Sequence, residues 1–173
     1  ILSKSADELT RFARRTKIPV TTSLMGLGAF PGSDPLWLGM IGMHGTYRAN
    51  MSSSQCDLLL AVGVRFDDRV TGKTDAFAAQ AQIVHIDIDP TSIRKNIPVT
   101  VPVVGDCRFT LEQLNDLLEE EGLRDLEEKR APWIEQIEVW KKEARLAYNQ
   151  KDIIKPQYVI EKLYELTGGK AII

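Results

Sequence analysis

The fold class is decided by the sequence DLLLAVG at residues 57–63, which is an almost continuous apolar run. Such a run is typical of a strand that is covered on both faces, and strands of this kind usually belong to parallel sheets. A second run, IVHIDID at residues 83–89, is stopped by Pro90 and predicts another strand. Both runs therefore favour a sheet that is mostly parallel.

The sequence on either side of these runs alternates between helix and strand signals. Capping residues, alanine content and apolar spacing predict helices over residues 5–16, 49–55, 74–81 and 110–122. Short β-branched runs predict further strands over residues 20–22 and 102–106. Two of the helices would begin with capping boxes, formed by Ser5 with Glu8 and by Thr110 with Gln113. Because helices separate the strands, we predict an α/β fold with helices on both faces of the sheet, in three Rossmann-like layers.

The C-terminal part of the chain has a different pattern. It is highly charged from residue 123 to residue 148, and Pro132 stands where a helix would begin. An amphipathic helix that docks on the domain is predicted by the apolar spacing of Trp133, Ile137, Trp140 and Ala144. The polar residues that follow, up to Pro156, are predicted to be an interdomain linker.

Pro156 can open a last helix. The inward face of this helix would be formed by Val159, Ile160, Leu163 and Leu166. Residues 171–173 are typical of the start of a buried strand. We therefore predict a central domain over residues 1–148, with a docked helical segment at about 124–148, a linker over 149–155, and the start of a C-terminal domain over 156–173.

The composition argues against several classes of partner. No apolar run approaches the about 20 residues that a membrane-spanning helix needs, so we expect no membrane role. The 22 basic residues are spread along a chain of net charge -2, and nucleic acid is therefore an improbable partner. Cys56 and Cys107 lie far apart without a CxxC spacing, which indicates no zinc site and no disulfide. We expect a reducing, cytoplasmic setting.

Candidate ligand-binding residues follow the predicted strands, because ligands of doubly wound sheets bind beyond the carboxyl ends of strands. The four segments concerned are residues 23–28, 39–45, 63–70 and 85–90. Asp87 could accept hydrogen bonds from ribose hydroxyls, or Asp87 or Asp89 could simply cap the following helix. The glycines of the first two segments could serve turns or line a ligand channel. A GxGxxG motif is absent from the sequence, so ordinary Rossmann NAD binding is not supported.

The third segment concentrates charge directly after a buried strand. Arg65, Asp67, Asp68 and Arg69 could form an exposed ion-pair cluster of little energetic value. Alternatively, one guanidinium could bind a diphosphate or a carboxylate bidentately. Two histidines belong to the other segments. His44 could donate a hydrogen bond or pack, and His85 is expected to be a core residue with its hydrogen bonds satisfied.

The residues show no metal-ligand set and no Ser-His-Asp or Cys-His arrangement. We therefore expect any chemistry to be supplied by cofactors.

Three strings in these segments resemble one enzyme family. PVTTSLMGLG at residues 19–28, GMHG at 42–45 and AVGVRFDDRVTG at 61–72 are similar to the catalytic subunits of acetolactate synthases, which depend on thiamine diphosphate. The resemblance covers nearly the whole chain, and Trp140 and Pro156 also match the connection to that family's third domain. It implies that the chain is the middle of three domains, without the N-terminal strand of that domain. The middle domain would hold FAD, while the first and third bind thiamine diphosphate and Mg.

The resemblance also assigns roles to individual residues. FAD would lie along residues 44–65 and 87–106. The positions implied to bind it are Ser23, Leu24, Met43, His44, Gly63, Arg65, Asp67, Arg69, Val70, Asp87, Ile88, Asp106 and Cys107. Ser23 replaces a threonine that is often found there, and this keeps the hydroxyl. Arg69 would hold the carboxylate of the second 2-oxo acid, with Met43 on its apolar wall and Asp68 beside it. No metal ligand is implied within this chain.

The implied reaction is the decarboxylation of pyruvate and the joining of the remaining two-carbon unit to a second pyruvate or to 2-oxobutyrate. The products would be acetolactate or acetohydroxybutyrate, in branched-chain amino-acid biosynthesis, and FAD would have a structural role. A homodimer or tetramer with a small regulatory subunit is implied, and this chain alone would be inactive. The alternatives are the central domain of another thiamine-diphosphate enzyme, such as pyruvate oxidase or glyoxylate carboligase, and a non-catalytic module that binds NADP or another nucleotide.

Overall fold

A computed structural model describes residues 1–122, 125–143 and 147–171 of the chain. Six α-helices and five strands are present in the described residues: α1 Ala6–Thr16, β1 Val20–Thr22, β2 Trp37–Met40, α2 Tyr47–Gln55, β3 Leu58–Val62, α3 Asp68–Thr71, β4 Gln82–Asp87, β5 Val101–Val104, α4 Cys107–Glu121, α5 Leu126–Glu143 and α6 Pro156–Thr167. The chain forms two compact units. The first ends at Glu143, and the second carries α6.

All strand pairs in the first unit are parallel. β1 pairs with β2, and Thr22 lies opposite Met40. β3, β4 and β5 form a second sheet with β4 in the middle, where Val62 lies opposite Ile86 and Asp87 opposite Val104. Helix α4 contacts β4 and α1, and α2 contacts β2 and α5. These findings confirm the predicted α/β fold with parallel sheets flanked by helices.

Two apolar clusters form the core of this unit. One cluster includes Ile83 of β4. Since side chains alternate between the two faces of a strand, this cluster lies on the face of β4 that carries Ile83. Its buried members are Ala61, Phe66, Ala78, Ile83, Ile97 and Val99. The other joins β2, α2 and α5 through Leu38, Ala49, Ile137 and Trp140, with Trp133 packed against it. The clusters anchor the elements whose carboxyl ends carry the candidate ligand loops.

Two predicted elements differ from the structure. The helix predicted over residues 74–81 is wrong: a 3-10 turn at Thr74–Ala76 is followed by further turns. Ala78 has a φ of 45° and is buried in the core, so packing outweighs the helix propensity of this alanine-rich segment. Strand β2 was not predicted, because it is only four residues long and contains Gly39.

The helix starts also differ from prediction. Ser5 makes no side-chain cap bond, and its hydroxyl instead accepts a hydrogen bond from Ser3 at 3.0 Å. Helix α4 begins before Thr110, because the carboxylate of Asp106 accepts from the backbone of Arg108 and of Phe109. Pro132 lies inside α5 and does not start it. The preceding residues from Leu126 are mostly good helix formers, and they extend the helix on its N-terminal side.

The second unit contains α6, which opens at Pro156 as predicted and ends at Thr167, where Gly168 caps it in the left-handed conformation. The inward packing predicted for Val159, Ile160, Leu163 and Leu166 is wrong for this structure, in which all four are exposed. Residues 147–171 include no other helix or strand that could cover them. The strand predicted at residues 171–173 falls largely on Ile172 and Ile173, which lie outside the described residues.

Among residues 1–122, 125–143 and 147–171, no helix combines the length and the apolar character needed to cross a membrane.

Candidate functional site

The loop after β2 contacts the carboxyl end of β1 and the segment after β3. The N–H of Ile41, after β2, donates to the carbonyl of Thr22 at 3.0 Å. The N–H of Met43 donates to the carbonyl of Arg69, also at 3.0 Å. The loop after β2, residues 41–46, therefore bridges the end of β1 and the segment after β3. Two of the four segments singled out in the sequence, residues 39–45 and 63–70, are brought into contact in this way, and the segment 23–28 begins directly after Thr22.

The glycines of the bridging loop allow backbones to touch. Gly42 has a φ of +103°, and a Cβ built there would lie 2.2 Å from the carbonyl oxygen of Arg69. A Cβ on Gly45 would lie 2.4 Å from the carbonyl oxygen of Met40. Gly28, by contrast, has a positive φ but open space around it. Glycine thus serves close backbone approach in the second loop and turn formation in the first.

Asn50, on α2, binds the bridging loop and was not singled out in the sequence. Its Oδ1 accepts from the N–H of Gly42 at 2.9 Å, and its Nδ2 donates to the carbonyl of Gly42 at 3.0 Å. Helix α2 itself begins at Tyr47 and is capped by the preceding Thr46, whose hydroxyl accepts from the N–H of Ala49. No residue spacing indicates such a side-chain bond to a neighbouring loop, so sequence reasoning had no signal for it.

The charged segment after β3 holds two different arginine environments. Arg65 lies 3.2 Å from the carboxylate of Asp67, in an exposed ion pair. The guanidinium of Arg69 lies 3.9 Å from the sulfur of Met43, and its side chain and that of Asp68 are exposed. Within the described residues, no carboxylate lies within ion-pair distance of Arg69. Arg69 is therefore the arginine of this segment that is available to an added anion.

Asn96 binds the backbone of the same segment. The Nδ2 of this residue donates to the carbonyl of Arg65 at 3.1 Å and to that of Phe66 at 2.9 Å. Phe66 is buried and has a φ of 55°, an uncommon conformation for a bulky residue. Asp67 has one buried oxygen, Oδ1, without a hydrogen-bond partner in the described part of the chain. An added donor at this position would satisfy it.

A second group of candidate residues lies at the carboxyl ends of β3, β4 and β5. The Oδ1 of Asp87 accepts from the N–H of Asp89 at 2.8 Å, so the carboxylate makes a local turn bond and keeps Oδ2 for another partner. A Cβ on Gly63 would lie 3.2 Å from the sulfur of Cys107. Burial raises the pKa of the Cys107 thiol, and the negative charges of Asp87 and Asp106 raise it further. These carboxylates and the thiol are thus close neighbours.

His85 lies beneath this group and is completely buried. Its ring packs edge-on against Phe66, with the centroids 5.1 Å apart, and its Nε2 lies 3.9 Å from Oδ2 of Asp87. Burial lowers the pKa of His85, and the charge of Asp87 and the nearby backbone of Val64 offset this only in part. The predicted core position is confirmed. The expected hydrogen bonds are not found, since neither ring nitrogen has a partner among the described residues.

The remaining candidate residues lie on the surface of the loops. Ser23 precedes a 3-10 turn at Leu24–Gly26, in which Leu24 is exposed. His44 and Ile88 are exposed, and Val70 is half-buried in α3. In the part of the chain that the structure describes, no cluster of three His, Cys, Asp or Glu side chains could hold a metal ion.

Taken together, the sheet edge offers apolar side chains, a free guanidinium and carboxylate oxygens. This combination suits a ligand that joins an aromatic ring, an anionic group and hydroxyls, which is the chemistry of a nucleotide cofactor. Parallel α/β domains with ligand loops at this edge form a large class of such binding domains.

The particular family is shown by comparison with known proteins. The family model for the thiamine pyrophosphate enzyme central domain matches residues 1–114, and the chain belongs to this family. Its relatives include the acetolactate synthase large subunit of Haemophilus influenzae, 45% identical over 174 residues, which cover 100% of this chain and 30% of that protein.

Two further relatives carry the same enzyme name. Acetolactate synthase 1, chloroplastic, of Oryza sativa subsp. japonica is 51% identical over 172 residues, covering 99% of this chain and 27% of that protein. The acetolactate synthase isozyme 3 large subunit of Escherichia coli K12 is 46% identical over 168 residues, covering 96% of this chain and 29% of that protein. These matches confirm the resemblance seen in the sequence. The chain spans about 30% of the length of these relatives.

Proposed function

We propose that this chain is the central domain of an acetolactate synthase large subunit. The complete subunit would condense two pyruvates, or pyruvate and 2-oxobutyrate, with release of CO2, in branched-chain amino-acid biosynthesis. The observation that carries this proposal is the match of essentially the whole chain to acetolactate synthases at 45% and 51% identity.

The cofactor proposed for this domain is FAD. Two features of the sheet edge fit such a group. Gly63 has no side chain and leaves room beside Cys107, and the buried Oδ1 of Asp67 has no hydrogen-bond donor in the described residues. FAD would be held by the sequence-predicted set, Ser23, Leu24, Met43, His44, Gly63, Arg65, Asp67, Arg69, Val70, Asp87, Ile88, Asp106 and Cys107. FAD would give the site its shape and rigidity, and it would undergo no net redox change. Thiamine diphosphate and Mg would bind mainly to parts of the subunit outside this chain.

Arg69 is the residue that we propose to act on substrate. Its guanidinium would bind the carboxylate of the second 2-oxo acid, because it has no carboxylate partner of its own in the described residues. Met43, 62% exposed and in contact with Arg69, would form the apolar wall that keeps water from the bound acid. Asp68 lies next to Arg69 on α3 and is proposed to face the same substrate.

The role of Arg69 can be tested in the full-length subunit. A charge-assisted contact is worth about 1.5 to 3 kcal/mol, so Arg69→Ala should raise the KM for the second 2-oxo acid by roughly ten- to a hundredfold. FAD content after purification should change much less than the KM, because Arg69 is only one of the thirteen residues proposed to hold FAD. An unchanged KM would contradict the proposed role.

Arg65→Ala is the matched control, because it removes an arginine of the same loop that is already paired with Asp67. It should lower FAD retention more than it alters the KM. Titration of the full-length protein with FAD and with NADP, followed by calorimetry, tests the cofactor itself. Tight NADP binding without an FAD response would favour a nucleotide-binding module instead.

The domain organisation is also a proposal. β1 pairs with β2 and β3 pairs with β4, so in the described residues β1 and β3 each have a second edge without a partner strand. We propose that a strand of the longer protein pairs there, and that residues 156–173 begin a C-terminal domain. The subunit is proposed to form a homodimer or tetramer with a small regulatory subunit in the cytoplasm.

A further inference from the structure

We propose that Asn50 is a positioning residue that holds Met43 and Arg69 in place for the second substrate. This inference rests on the proposed function of Arg69. It concerns a residue that touches neither substrate nor reacting atoms and acts through the backbone of Gly42.

The first step of the argument is the double hydrogen bond between Asn50 and Gly42. The side-chain amide of Asn50 accepts from the N–H of Gly42 and donates to its carbonyl, at 2.9 and 3.0 Å. Gly42 has a φ of +103° and belongs to no helix or strand. Its carbonyl also accepts from the N–H of Gly45 at 2.9 Å, a turn bond within the loop itself. The amide of Asn50 ties this turn to helix α2. The side-chain amide of asparagine offers a donor and an acceptor together, whereas an ionised aspartate of the same length offers acceptors only.

The second step is the contact between Gly42 and Arg69. The space where a Cβ of Gly42 would stand is 2.2 Å from the carbonyl oxygen of Arg69, so the two backbones touch directly. The next residue, Met43, donates its N–H to the same oxygen at 3.0 Å. Movement of Gly42 therefore displaces Met43 and the backbone of Arg69 together.

The third step is the rigidity of the support. Asn50 follows Ala49, which is fully buried against Leu38 and Trp140 in the second apolar cluster. Helix α2 is fixed at its start by the Thr46 cap. A site residue held from a packed helix keeps its geometry better than one held within a loop. Asn50 thus fixes the loop that carries Met43 relative to α2. Because this loop contacts the backbone of Arg69, the position of Arg69 is fixed as well.

The test is Asn50→Ala in the full-length subunit, with two measurements. Amide hydrogen exchange, read by mass spectrometry on peptides covering residues 41–46, should become faster by tenfold or more, because Gly42 loses its acceptor. The KM for the second 2-oxo acid should rise about tenfold, since small misplacements of binding groups cost this much or more. FAD content and kcat at saturating substrate should stay within about threefold of the parent.

Ser53→Ala is the matched control on the same helix. It removes one buried hydrogen bond, from the Ser53 hydroxyl to the carbonyl of Ala49, without touching the loop. It should change neither the exchange at residues 41–46 nor the KM. If Asn50→Ala does not fold, Asn50→Asp replaces it: it keeps an acceptor for Gly42 but, when ionised, loses the donor, and it should raise the KM as well.

The outcomes separate the two proposals. Faster exchange with an unchanged KM, or a lower melting temperature as the only effect, would overturn the positioning role. Unchanged amide hydrogen exchange at residues 41–46 would contradict a holding role for the two hydrogen bonds between Asn50 and Gly42. If Arg69→Ala leaves the KM unchanged, the proposed role of Arg69 fails, and the exchange result still reports on the contact between Asn50 and Gly42.

Discussion

His85 combines complete burial with two ring nitrogens that have no hydrogen-bond partner in the described residues. Its folded pKa is lowered by burial from the ordinary value of 6.5, so the unfolded chain takes up a proton first as the pH falls. The stability contributed by neutral His85 is therefore present above about pH 6.5 and is lost below it. We expect the free energy of unfolding to fall between pH 7 and pH 5, with a slope of at most about 1.4 kcal/mol per pH unit from this residue.

Urea unfolding at several pH values measures this slope. His85→Phe keeps an aromatic ring in the core and removes the titrating group, so its slope between pH 7 and pH 5 should be shallower than that of the parent. The absolute stability of the variant is not the readout, since the larger ring also changes packing. Equal slopes in both proteins would contradict the assignment.

Single residues were predicted from the sequence only in part. The burial of His85 follows from its place in an apolar run, whereas its missing partners depend on what the fold brings near it. The bonds from Asn50 to Gly42 and from Asn96 to Phe66 join residues of different elements. Such bonds arise from the meeting of loops, and a single sequence contains no periodic signal for them.

At the scale of elements, the starts of α4 and α1 differ in how they are capped. Asp106 accepts from the N–H of Arg108 at 2.8 Å and from that of Phe109 at 3.3 Å, whereas Ser5 makes no cap bond. Asp106→Ala should therefore lower the free energy of unfolding by about 1 kcal/mol, and Ser5→Ala by much less.

Chemical denaturation of ligand-free protein measures both effects, because bound ligand would add its own stabilisation. Asp106→Asn is the control, since asparagine caps a helix about as well as aspartate. Equal losses for Asp106→Ala and Ser5→Ala would show that the cap bonds of α4 contribute little.

The elements themselves were predicted where one local signal dominated. The apolar runs that became β3 and β4, and Pro156 at the start of α6, are such cases. The helix predicted over residues 74–81 does not form, because Ala78 is buried in a left-handed turn that core packing selects. The helix start predicted from the capping pair Thr110 and Gln113 is wrong, because a stronger capping residue, Asp106, stands four positions earlier. Local signals that compete are decided by tertiary packing, and the sequence alone does not rank them.

At the scale of the whole molecule, the chain consists of two units, and we expect the segment between α5 and α6 to be the point of first cleavage. Residues 147–155 have no helix or strand, and Lys151 is exposed. Trypsin should cut the 173-residue chain after Lys151 before it cuts at Lys141 or Lys142, which are exposed but helical.

Mass spectrometry of a digestion time course identifies the first fragment. A product that ends at residue 151 supports a linker at residues 149–155. Early cleavage within α5, between residues 126 and 143, would instead indicate that this helix does not stay packed on α2.

The contact between Gly42 and Arg69 has a consequence for protein engineering. The loop after β2 and the start of α3 share one backbone interface, and Asn50 supplies the bond that seats the loop there. A loop grafted into residues 41–46 alone, from a relative that differs at position 50 or within residues 65–72, would therefore meet a foreign surface at Arg69 or a mismatched side chain at position 50. Recombination of relatives at this site should succeed when residues 41–50 and 65–72 are exchanged as one block, and it should fail when either stretch moves by itself.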